Sequence, residues 1–227
     1  MANEQYTEIQ DLSADELKNK ANSFFEQYKN LIFGGLAAII VIIVGMYWYV
    51  QNSNAKDAEA QVELYKANIE FKRDSLQLAL NGRNVIGQAN SFIGYTGIIE
   101  DYSGTPAANL AHYYAGISTL RLGQPQLAID FLENFSGEEL LQTQAYTLLG
   151  DAYSELKDME QALDYYNKAA GNTDNTALSL YAKWKAARLL EFQGNLEEAK
   201  KTLQEIMDTD PQMAERLGVD KDLIRLS

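Results

Sequence analysis

The chain has 227 residues, 46% hydrophobic and 22% charged, with no cysteine. That composition suits a chain that buries an apolar core and excludes a disordered one, while the missing thiols exclude disulfides and thiolate metal sites. Net charge is −13, with 16 Lys and Arg against 26 Asp and Glu after residue 50, so no nucleic-acid partner is expected: a phosphate backbone would be repelled and no basic stripe offsets that field.

In chain order, residues 1–30 read as a tail. Ser13-Ala14-Asp15-Glu16 fits a capping box, in which a hydroxyl and a carboxylate satisfy each other's backbone N–H groups at a helix start. Leu17, Ala21, Phe24, Phe25 and Tyr28 then recur at helical spacing, which predicts an amphipathic helix lying along a membrane surface. Leu31–Val50 follows, 20 residues without a charge. At about 1.5 Å per residue it is long enough to cross a hydrocarbon core of about 30 Å, and too long for the apolar stretch of a cleaved signal. Tyr47, Trp48 and Tyr49 at one end, with Phe24, Phe25 and Tyr28 before the other, match aromatic rings at the two interfaces.

Lys18, Lys20 and Lys29 precede this segment, and only Lys56 and Lys66 follow it within 20 residues. The positive-inside rule therefore predicts a cytoplasmic N-terminus and an outward-facing C-terminal domain. In a bacterium this means a single-pass inner-membrane protein with a periplasmic domain.

Residues 51–87 are expected to form an extracytoplasmic helix and connector. Ala55–Leu80 reads as one helix with Ala58, Val62, Tyr65, Ile69, Leu76 and Leu80 on a stripe, stopped by Asn81-Gly82. Residues 88–227 contain short helices separated by Gly, Asn, Asp or Pro, and no sustained alternation of period two.

Self-similarity sets the architecture of this part. Ala145-Tyr146-x-x-Leu149-Gly150-x-x-Tyr153, followed by Ala162-x-x-x-Tyr166-x-x-Ala169, matches the tetratricopeptide (TPR) pattern of small and bulky positions. A step of 34 back from Ala162 reaches Ala128, with Gly116 and Gly123 before it, then Leu132 and Phe135. A step of 37 forward reaches Ala199, with Trp184, Ala187 and Gly194 before it and Leu203 after, and Pro211 closes the unit. Each unit is two antiparallel helices whose crossing needs Ala or Gly where backbones touch. Neither helix buries its apolar face alone, so units must stack. The expected fold is all-α: a single N-terminal transmembrane helix followed by a TPR-like α-solenoid of about three to four helix pairs. The fourth would pair the end of the Ala55–Leu80 helix with a helix over Gln88–Tyr102, before an N-cap and first-turn proline at Thr105-Pro106.

Catalytic and cofactor constellations have little material. His112 is the lone histidine and occupies the position of Tyr146 in the next unit, which predicts packing rather than zinc or base chemistry. Glu100-Asp101, Glu138-Glu139 and Glu197-Glu198 are sequence neighbours and so point to different helix faces; the last two pairs fit first turns, where acids favour the helix dipole. Gly82, Gly87, Gly94 and Gly97 lack the following Lys-Ser or Lys-Thr of a phosphate cradle and read as a turn. No enzyme activity, metal or cofactor is expected.

The remaining candidate is the concave surface lined by the first helix of each unit. Projection places Tyr113, Ile117 and Arg121 there from the first unit, Thr147, Asp151 and Glu155 from the second, and Tyr181, Trp184, Arg188 and Phe192 from the third. Aromatic and Arg side chains often anchor interfaces, so a peptide or protein partner is expected.

The tail, single membrane helix, long following helix and acidic TPR-like domain together resemble the YfgM-like ancillary subunit of the SecYEG translocon. The central repeat is more regular, and the tail longer, than that family suggests. The resemblance implies translocon subunits and a membrane-anchored periplasmic chaperone (PpiD) as partners, and a role in handing translocated proteins to chaperones. A scaffold subunit of another cell-envelope secretion or assembly complex would share this architecture.

Overall fold

The computed structural model describes residues 14–83, 91–172 and 175–227. The expected capping box at Ser13–Glu16, the side chains of Leu17, Ala21, Trp48 and Tyr49, and Gly87 lie outside the described residues. The described chain forms α1 (Ala14–Lys72), α2 (Leu76–Asn81), α3 (Gly94–Asp101), α4 (Pro106–Arg121), α5 (Pro125–Glu133), α6 (Glu139–Glu155), α7 (Met159–Ala170), α8 (Thr176–Phe192), α9 (Leu196–Thr209), α10 (Pro211–Leu217) and α11 (Val219–Arg225). Among the described residues no strand occurs, only an isolated antiparallel bridge between Arg83 and Phe92. Two compact units are present, 1–54 and Ala55–Ser227.

In the first unit the large apolar side chains of α1 are uncovered: Leu31 is 76% exposed and Val41 71%. Among the described residues, no single helix is long and apolar enough to cross a membrane. Lys18–Leu31 and Phe33–Tyr47, bent by 49°, meet that length and composition together.

The second unit is a stack of helix pairs, α4/α5, α6/α7 and α8/α9, each packed on the next. Its spacing follows from what the crossings can hold. Gly116 lies against Leu132, and a Cβ added there would sit 2.5 Å from Leu132 Cγ. Gly150 lies as close to the Tyr166 ring, again at 2.5 Å. A small residue on the first helix thus admits the bulky residue of the second. The third pair repeats the arrangement with Ala187 and Leu203, members of one buried cluster.

Thr105 Oγ1 accepts the Ala108 N–H at 3.1 Å, with Pro106 at the first helical position, as the sequence led one to expect. Asp158, Asn175 and Asp210 side chains accept N–H groups in the same way at the starts of α7, α8 and α10. Glu139, Glu197 and Glu198 occupy first turns.

Two expectations are corrected. Ala55–Leu80 is not one helix: the chain leaves α1 at Lys72, turns through Asp74 at φ 62°, and restarts as α2. Of the expected stripe, Leu76 and Leu80 are buried, but Val62 and Tyr65 do not face the core. Ala60, Leu64 and Ala67 are buried with Tyr95, Ile98 and Ala111, whereas Val62 and Tyr65 are 56% and 69% exposed. Residues 55–72, expected in the helix of the helix-and-connector segment 51–87, share the core of the compact unit. They are tied in by Asp57 Oδ1, which accepts the Ala107 N–H at 2.9 Å, and by Asn68 Oδ1, which accepts the Tyr95 hydroxyl at 2.7 Å. Pro211 follows directly on α9, closing the unit as expected, and also starts a further helix. α10 and α11 follow it, separated by Gly218 at φ 74°, and Ala214, Val219 and Leu226 complete the last buried cluster.

The helix expected over Gln88–Tyr102 begins at Gly94. Gly82 and Gly94, at φ 74° and 70°, meet back to back, and a Cβ on either would strike the other's backbone. This is the close approach behind the glycine-rich turn.

Candidate functional site

The helices α4, α6 and α8 supply the residues projected onto a groove, and the structure divides them into three groups. Tyr113 and Thr147 are buried. The Tyr113 hydroxyl donates to Gln144 Oε1 at 2.6 Å and its ring packs 5.1 Å from that of Phe135, while Thr147 Oγ1 donates to the Thr143 carbonyl. Burial pushes the Tyr113 pKa up. Ile117 is half-buried against the same cluster. Tyr113 and Ile117 hold one repeat to the next, while the Thr147 bond lies within α6.

Asp151 and Arg121 make ionic links within the stack. Asp151 Oδ1 accepts from Lys185 Nζ at 2.7 Å and from the Tyr166 hydroxyl at 2.6 Å. Burial first, and the Asp151 carboxylate second, raise the Tyr166 pKa above the ordinary phenol value. Arg121 donates to Asp74 Oδ1 at 2.6 Å and lies over the Phe71 ring.

Glu155, Trp184, Arg188 and Phe192 do come together. With Lys157, Met159 and Leu189 they line a cleft of about 430 Å³, a size that suits one or two side chains more than a folded surface. Trp184 is fixed at its polar edge, where Nε1 donates to Asp222 Oδ2 at 2.9 Å. The Arg188 guanidinium lies 5.0 Å from its ring centroid, and Tyr181 stacks on the same indole at 5.9 Å. Phe192 stands at the rim, 76% exposed. Arg225 pairs with both Glu191 and Asp222, securing α11 beside α8.

Among the contributors that escaped the sequence reading are two cations. Lys185 lies one residue beyond the projected Trp184, and its link to Asp151 arises only when α8 stacks on α6. Lys157 lies in a turn that the projection did not include, although its alignment with Gly123 and Gly194 was a legible signal.

His112 is half-buried, with its ring 6.2 Å from that of Phe131 and its pKa lowered by burial. Among the described residues, no group of three or more His, Asp or Glu side chains is placed to hold a metal.

Comparison with known proteins agrees with this geometry. Residues 143–174 and 181–212 each match a tetratricopeptide repeat family model. No curated protein matches the sequence. Among solved structures, the MamA protein is similar at 16% identity and a TM-score of 0.53, over 74% of this chain and 87% of that one. Two structures of the nearly identical TPR-like repeats of a Podosopora anserina kinesin light chain are similar at 14% identity, with TM-scores of 0.55 and 0.52. Each covers 75% of this chain, and 85% and 86% of theirs. At such identities the likeness is one of fold. The chain thus carries two tetratricopeptide repeats within a TPR-like helical solenoid, and repeats of this kind typically serve as non-enzymatic scaffolds for protein–protein interaction.

Proposed function

We propose that this chain is a protein-binding adaptor anchored in a bacterial inner membrane by one helix within Leu31–Val50, with its TPR-like domain in the periplasm. The two TPR matches, together with the cleft at the ends of α6 and α8, carry the adaptor reading. The uncovered apolar side chains from Leu31 to Tyr47 support the anchor, and the excess of lysines before them supports the orientation.

The adaptor works beside the Sec translocon and passes emerging proteins to a membrane-anchored periplasmic chaperone. This part rests on the resemblance of the whole arrangement to the YfgM-like translocon subunit. Extraction of the tagged chain from its own membranes in mild detergent, with mass spectrometry of what copurifies, tests both levels. SecY-type subunits and periplasmic chaperones are expected. A different envelope complex in their place would overturn the Sec assignment alone, and no copurifying protein would overturn the adaptor.

A further inference from the structure

We propose that the cleft between α6 and α8 takes an extended acidic segment of polypeptide, its bulky apolar side chain filling the cleft and its carboxylates meeting Lys157 and Arg188. The inference rests on the adaptor reading and adds the chemistry of what is bound.

The turn after α6 carries the first observation. Lys157 has φ 63°, a left-handed conformation that strains any residue with a Cβ. The matching turn after α4 has Gly123 at φ 71°, and that after α8 has Gly194 at φ 83°. The central repeat alone of these three departs from glycine, and it does so with a cation on the cleft lining. The turn after α1 shows what such a residue can do. There Asp74, also left-handed, is paired with Arg121. Among the described residues Lys157 makes no ion pair, so its charge is open to a ligand.

Arg188 supplies the second observation. It is exposed, stacked on an indole that is itself held by Asp222, and among the described residues it has no carboxylate partner. A guanidinium held on an aromatic face loses little freedom when it binds a carboxylate. The third cation of the lining, Lys185, is already neutralised by Asp151. Glu155 is the one carboxylate on the lining, available to accept peptide N–H groups. The net charge of −13 would repel an acidic ligand from afar. Screening limits that repulsion to about 8 Å at physiological ionic strength, so the lining charges decide.

The test uses the full chain in detergent with Trp48→Phe, which leaves Trp184 as the single tryptophan of the two. The probes are the blocked peptides Ac-Ser-Asp-Phe-Asp-Ser-NH2, Ac-Ser-Asn-Phe-Asn-Ser-NH2 and Ac-Ser-Asp-Ala-Asp-Ser-NH2. The Asp-Phe-Asp peptide is expected to shift Trp184 emission saturably, and each of the other two to bind about tenfold more weakly. Lys157→Gly is expected to keep or raise Tm while weakening binding of the Asp-Phe-Asp peptide about tenfold. Arg188→Gln should weaken it similarly at unchanged helicity. Equal binding of the Asp and Asn peptides, or undiminished binding by the double variant Lys157→Gly with Arg188→Gln, overturns the proposal. Partner proteins that copurify equally with the double variant overturn the cleft as the site and leave the adaptor reading standing. A parent chain that copurifies nothing overturns both.

Discussion

Asp151 on α6 and Lys185 on α8 face each other across the seam between consecutive repeats, Nζ 2.7 Å and 2.9 Å from the two carboxylate oxygens, with the Tyr166 hydroxyl completing the site. Both charged side chains are mostly covered, Asp151 at 26% exposure and Lys185 at 21%. Removing the acid therefore costs more than removing a surface ion pair would. Asp151→Ala should lower the unfolding free energy by about 2 kcal/mol, since it leaves a cation and a phenol without an acceptor. Lys185→Met should cost less, about 1 kcal/mol, because its stem still packs. Urea unfolding of the two variants and their double combination checks this, and the double should cost less than the sum.

Gly150 and Gly116 mark the tightest helix crossings. Gly150→Ala gains helix propensity of about 1 kcal/mol, yet its methyl must displace the Tyr166 ring, which is buried in the core. Overpacking should win, with a net loss of about 1–3 kcal/mol in thermal unfolding. Gly150→Ala combined with Tyr166→Leu should recover part of it. Gly218→Ala, where nothing lies within 4 Å, should lose stability only through its left-handed φ of 74°.

Tyr153 and Tyr165 stack at 5.4 Å, and both donate to Glu133 Oε1, at 3.0 and 3.1 Å. Burial, with the Glu133 carboxylate, pushes both phenols up to about 12. Folding thus favours their neutral form. Their contribution to stability is complete below pH 10 and is lost as pH rises from 10 through about 12. In absorbance titration near 295 nm, Glu133→Ala should move two tyrosines to lower pH.

The absence of cysteine makes orientation measurable with single introduced thiols. In spheroplasts, Ser103→Cys in the exposed turn before α4 should react with a membrane-impermeant maleimide. Asn3→Cys should react only after the membrane is permeabilised. The reverse pattern would invert the proposed topology.

Much of the repeat was legible in the sequence because its cause is local and periodic. Ala145, Gly150, Ala162 and Ala169 recur where backbones cross, and Thr105-Pro106 is a helix start on chemical grounds alone. The break at Arg73-Asp74 was not legible. Apolar residues continue at helical spacing through it, and the observed turn places Asp74 beside Arg121, 47 residues away. Pro211 ends the third unit as expected, but the helix it also opens was not legible. A proline can stop a preceding helix or occupy the first turn of the next, and the capping contacts of Asp210 with Gln212 and Met213 fit the second role.

What the sequence by itself determined is the class of structure: helices paired by small and bulky residues, because a crossing distance is set by the side chains at it. What only the tertiary structure decided is the use of each face. Val62 and Tyr65 had the periodicity of core residues, yet Ala60, Leu64 and Ala67 are buried, since α3 and α4 pack on that face of α1. The cleft is likewise a product of stacking. Asp151 meets Lys185, leaving Lys157 and Arg188 without a carboxylate among the described residues, and a charge finds its partner through distance in space rather than separation along the chain.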